Sequence, residues 1–140
     1  MTEQGFFGVT LGVADMPSAT AFYNRLGWPK GQSTSPAPAT CFTLGPICIT
    51  LLPRDTLIEA AGLLSFFDMD SICPCMTINI PVASPADVEA YLQNARSAGA
   101  TVLKPAQNQS DGSCSGYFMD PDGHIFEIAY TAPHLGPNRE

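Results

Sequence analysis

The groups best placed to do chemistry gather toward the C-terminal end of the chain. The stretch "GYFMDPDGHIFEIAY", residues 116–130, sets Glu127 among apolar neighbours, with His124 three positions before it. Asp120-Pro121-Asp122-Gly123 reads as a turn. Asp suits its first position, Pro presets φ at the second, and Gly accepts the left-handed conformation that ends it. Apolar runs on both sides make the segment a β-hairpin. Strand alternation then puts His124, Phe126, Ile128 and Tyr130 on one face and Ile125, Glu127 and Ala129 on the other. A carboxylate in such surroundings must be paired, hydrogen-bonded, metal-bound or protonated, since burying the bare ion costs on the order of several kcal/mol.

The thiols are the other reactive groups. Cys73-Pro74-Cys75 has the closeness of a metal-binding pair, but lacks the second Cys or His pair that closes a zinc site. The five cysteines (Cys41, Cys48, Cys73, Cys75 and Cys114) are an odd number, and "MTEQGFFGVT" lacks the basic start and apolar core of a signal peptide. The expectation is a cytoplasmic protein with reduced thiols.

Elements must position these groups, and composition says what kind. The 140 residues suit one domain, or two half-domains sharing a core; 45% are hydrophobic and 14% charged, the balance of a folded globular chain. Thirteen acidic against six basic residues give −7, which excludes the basic surface needed for nucleic acid or an anionic membrane. No apolar run approaches the roughly 20 residues of a membrane-spanning helix.

The pattern occurs twice. "FFGVTLGVAD" and "CMTINIPVAS" alternate as strands, and each leads into a helix start, with Asp15 and Ser84 as caps and Pro17 and Pro85 in the first turns. Ala19, Phe22, Tyr23 and Leu26 form the apolar stripe of the first helix, which ends at Gly27. Val88, Tyr91, Leu92 and Ala95 form that of the second, which ends near Gly99. Strands follow each helix: "ATCFTLG" and "ICITLLP" about Gly45-Pro46, then "ATVLKP", "SGYFMD" and "HIFEIAY". A further helix is expected over 55–64, capped by Asp55. "GQSTSPAPAT" and "SFFDMDSICP" read as loops. The fold class is therefore α+β: two βαβββ modules, half-repeats at about 6–53 and 75–130; two such units suggest curled mixed sheets facing each other around a cleft.

"VTLGVADMPSATAFYNRLGW", "ICITLLPRDTLIEAAG" and "SGYFMDPDGHIFEIAY" together resemble the vicinal oxygen chelate superfamily. Its members include glyoxalase I, extradiol dioxygenases and the fosfomycin and bleomycin resistance proteins; the middle stretch is similar to a lactoylglutathione lyase-like subgroup. The resemblance runs over about residues 6 to 130 and implies the same paired modules. It also implies metal ligands on the first and last strands of each half. On the last strand that position is Glu127. The first-strand positions fall on Gly8, which has no side chain, and on Cys75, give or take one residue. The half-one counterpart of Glu127 falls on Ile49 or Thr50. A divalent ion that activates a substrate oxygen needs about three or four N/O donors. No cofactor is therefore expected; if a divalent metal does bind, Glu127 and Cys75 are its ligands.

The function that follows is metal-free binding of a small organic molecule in the cleft, in the manner of bleomycin resistance proteins. Candidate contacts are Glu127, Thr50, Cys75, Phe42, Cys114 and Tyr117, and a cationic group on the ligand would pair with Glu127. The alternative is a metal-dependent lyase or dioxygenase of the glyoxalase I type. Other enzyme readings use Glu127 as a general base, or Cys75 or Cys114 as a nucleophile. A third reading is a structural or regulatory domain whose cleft is filled by side chains. The resemblance also implies a homodimer, with strand edges or the Phe66-Phe67 loop at the contact.

Overall fold

The computed structural model describes residues 8–32, 38–61 and 76–133. The described residues fall into two compact units that divide between Cys73 and Pro74.

In the first unit, β1 (Gly8–Val13) leads into α1 (Met16–Leu26), then β2 (Thr40–Leu44), β3 (Ile47–Pro53) and α2 (Arg54–Ala60). The sheet order is β1-β3-β2, with β1 parallel and β2 antiparallel to β3. In the second unit, β4 (Thr77–Pro81) leads into α3 (Pro85–Ala98), then β5 (Thr101–Asn108), β6 (Cys114–Met119) and β7 (Ile125–Tyr130). Its sheet order is β4-β7-β6-β5, with β4 parallel to β7 and the remaining pairs antiparallel. The shared rule is that the first strand of each unit pairs in parallel with the last, and the helix between them covers one face. The expected α+β class of mixed sheets in two related modules holds. Among the described residues the first unit has three strands and the second has four.

Each helix buries the stripe read from its sequence, except that Tyr91 is half-buried. On α1, Ala19, Phe22, Tyr23 and Leu26 are buried, and the Tyr23 ring stacks on Trp28 at 4.5 Å and meets Phe42 at 5.8 Å. On α3, Val88, Leu92, Ala95 and Ala98 are buried, and Tyr91 stacks on Phe118, which in turn stacks on Phe126. The sheet residues beneath are Phe42, Ile49 and Leu51 in one unit and Phe118, Phe126 and Ile128 in the other, all at most 1% exposed. Apolar area of this kind contributes roughly 25 cal/mol per Å2 removed from water, so these faces carry most of the stabilisation.

Gly116 shows how closely α3 sits. A Cβ there would overlap Leu92 Cδ1 and stand 3.0 Å from the Lys104 carbonyl oxygen. The caps differ in how they work. Ser84 Oγ accepts the Asp87 N–H at 3.2 Å, as expected, whereas Asp15 occupies the N-cap of α1 without a side-chain bond. Asp55 is not a cap: α2 begins one residue earlier, with Pro53 at the N-cap and Asp55 in the first turn. No described helix is long and apolar enough to cross a membrane.

Candidate functional site

The β6–β7 turn is built as the sequence predicts. Gly123 has φ +93°, and Asp120 Oδ1 accepts the N–H groups of Asp122 and His124. Its other oxygen lies 2.7 Å from His124 Nδ1, and Asp120 is 2% exposed. His124 is thus tied to the turn that launches β7, on the strand face opposite Glu127.

That turn sets the register of the site. Tyr117 on β6 stands directly opposite Glu127 on β7, and Asn79 on β4 stands opposite Glu127 from the other side. Lys104 continues the row on β5, at a shift in the β5–β6 register. This row lies on the sheet face turned away from α3, where Ile125, Met119 and Ala129 supply apolar neighbours. The Tyr117 hydroxyl donates to Glu127 Oε2 at 3.2 Å. Both residues are half-buried rather than fully enclosed. Burial, followed by the negative charge of Glu127 and the hydrogen bond to it, pushes the Tyr117 phenol above its ordinary pKa. The raised pKa keeps the phenol protonated at neutral pH, so Tyr117 is the donor in this bond, and the carboxyl oxygens of Glu127 have room for further donors.

The repeat locates the corresponding place in the first unit. Thr10 and Asn79 each lie five residues before a helix cap, Asp15 and Ser84. Thr50 stands opposite Thr10 as Glu127 stands opposite Asn79, and Cys41 stands opposite Thr50 as Tyr117 stands opposite Glu127. Of the two sequence alternatives, Thr50 is the counterpart of Glu127; Ile49 faces the core at 1% exposure. The same counting puts Thr77, not Cys75, at the position equivalent to Gly8. Cys75 itself lies outside the described residues, as do Cys73, His134 and the Phe66-Phe67 loop.

Two expected contacts are placed elsewhere. Phe42 is fully buried between sheet and α1, against Tyr23 and Trp28. Cys114 is 3% exposed and shares the α3 side of β6 with Gly116 and Phe118. In both cases strand parity decides: one step along the strand from an outward residue turns the side chain into the core. Thr50, Glu127 and Tyr117 remain on the faces away from α1 and α3. Sequence reading missed Asn79 and Lys104, whose position beside Glu127 and Tyr117 is fixed by register, and it missed the pairing of Cys41 with Cys48.

The described residues do not fit the metal site that the resemblance implies. No group of three His, Cys, Asp or Glu side chains among them is arranged to hold an ion. A Cβ on Gly8 would stand 2.6 Å from the Cys48 carbonyl oxygen, so a ligand side chain there requires the backbone to move.

A family model for the Glyoxalase/Bleomycin resistance protein/Dioxygenase superfamily matches residues 5–128. A hypothetical protein from S. aureus is similar in structure at TM-score 0.78 and 17% identity, covering 94% of this chain and 95% of that one. A glyoxalase-related enzyme from Fulvimarina pelagi is similar at TM-score 0.76 and 25% identity, over 92% and 89% of the two chains. A lactoylglutathione lyase from Agrobacterium tumefaciens is similar at TM-score 0.65 and 18% identity, over 93% and 96%. No curated protein matches the chain. The family match over nearly the whole length and the parallel pairing of first and last strands in each unit agree: the chain belongs to the Glyoxalase/Bleomycin resistance protein/Dioxygenase superfamily.

Proposed function

We propose that the protein binds a small organic molecule without a metal, using the face of the β4-β7-β6-β5 sheet that carries Glu127 and Tyr117. The observation that supports this most is the Tyr117–Glu127 hydrogen bond on a half-buried sheet face, with apolar Ile125 and Met119 beside it. A few polar groups set among apolar ones are what orient a small ligand. Glu127 accepts from a ligand amine or other donor, and the chain's charge of −7 favours a cationic one. The residues do chemistry only in the sense of holding and orienting; no step of bond breaking is assigned to them.

The test uses metal-free bleomycin and a panel of organic amines, titrated into the chelator-treated protein. Binding by at least one of them, weakened about tenfold to a hundredfold by Glu127→Gln, is expected, as for loss of a hydrogen bond to a charged group of about 1.5–3 kcal/mol. Equal affinity in the variant would remove Glu127 from the site. Thr50→Val, measured beside it, tests whether the first unit takes part. We also propose that the protein acts as a homodimer, which sedimentation equilibrium tests.

A further inference from the structure

Cys41 and Cys48 sit on the two arms of the β2–β3 hairpin. Cys41 is opposite Thr50 and Cys48 is opposite Thr43, so both thiols project from the face away from α1, on a diagonal between the strands. Their sulfurs are 2.7 Å apart. Both are free thiols and the contact is within hydrogen-bonding distance, with either as donor; it is shorter than the roughly 3.5–4.0 Å at which carbon atoms settle in simple contact, and bonded sulfurs stand at about 2.05 Å. The pair is therefore closer to the bonded arrangement than to simple contact. A thiolate-bound soft metal does not suit it as well. With metal–sulfur bonds of about 2.3 Å, two sulfurs around a tetrahedral ion would have to move apart.

We propose that Cys41 and Cys48 form a reversible disulfide within the chain when the protein meets a hydroperoxide. Cys48 is half-buried and Cys41 is 3% exposed, so Cys48 meets the oxidant first. Its thiolate attacks the distal peroxide oxygen and the O–O bond breaks. The leaving hydroxide takes up the proton given up by the Cys48 thiol, which gives a Cys48 sulfenic acid and, from hydrogen peroxide, one water. Cys41 then attacks the Cys48 sulfur, the S–O bond breaks, and the Cys41 proton leaves with the hydroxide as a second water. Two electrons pass from the two thiols to the peroxide, and a dithiol reductant returns them. Burial, followed by the neighbouring Cys48 thiol, pushes the Cys41 pKa up, which leaves less thiolate there for the first attack. The pair flanks Thr50, the first-unit counterpart of Glu127.

The full chain, reduced and then treated with hydrogen peroxide, is alkylated with N-ethylmaleimide and digested without reductant. The expected result is a peptide containing Cys41 and Cys48 that is two hydrogens lighter and alkylated on neither, reverting with dithiothreitol. In Cys48→Ser, or in Cys48→Ala should the first variant fold poorly, Cys41 should lose its alkylation at least tenfold more slowly. Alkylation of both cysteines in the peroxide-treated protein would overturn the proposal. So would an irreversible Cys48 sulfinic acid with Cys41 free, or linkage of either cysteine to Cys73, Cys75 or Cys114. A chain with Ser at those three other positions should still form the Cys41–Cys48 bond.

Discussion

Tyr117 and Glu127 answer, at the scale of single residues, how a carboxylate is tolerated in an apolar strand. Glu127 is half-buried and accepts a hydrogen bond from the phenol opposite it, so it is not left without a partner. The arrangement has a pH signature. The phenol's pKa is raised in the folded state, chiefly by burial and then by the Glu127 charge. Its contribution to stability is therefore complete below the unfolded value of about 10 and is lost as pH rises through the higher folded value. Urea unfolding at a series of pH values from 9 upward should show wild-type stability falling more steeply than that of Tyr117→Phe. Parallel curves would mean that Tyr117 ionises as freely in the fold as in the unfolded chain.

At the scale of elements, helix caps and close approaches make separable predictions. Ser84→Ala removes the bond to the Asp87 N–H and should lower stability by about 1 kcal/mol, within the 0.5–2 kcal/mol typical of such caps. Asp15→Ala removes no cap bond and should change stability less, as chemical denaturation midpoints of the two variants would show. Gly116→Ala presses a methyl onto Leu92 and the Lys104 carbonyl and should destabilise by about 1–3 kcal/mol. An unchanged midpoint would show that α3 is free to shift outward. The same elements show what was legible in the sequence. Both helix stripes and the Gly45 and Gly123 turns could be read because each depends on neighbours within a few positions. Phe42 and Cys114 read as ligand contacts in the sequence because type alone does not say which face a strand residue occupies; the pairing register does. The Cys41–Cys48 pair depends on the same register across Gly45-Pro46, and Asn79 and Lys104 on pairings between distant strands, which local patterns do not encode.

At the scale of the whole molecule, one plan carries two chemistries. Thr10, Thr50 and Cys41 stand in one unit where Asn79, Glu127 and Tyr117 stand in the other. The carboxylate and phenol lie in the second unit and the paired thiols in the first, so the proposed ligand recognition falls to one and the proposed redox response to the other. For this family member, with a single carboxylate in this row, we propose binding of a small organic molecule. The most direct test of that reading is a thermal-shift titration of the chelator-treated protein and its Glu127→Gln variant with metal-free bleomycin and the organic amines. At least one compound is expected to stabilise the wild type, by about 2.7 kcal/mol when free ligand is a hundred times Kd, and to stabilise the variant much less. Stabilisation that appears only after a divalent ion is restored, or that is equal in the two proteins, would contradict it.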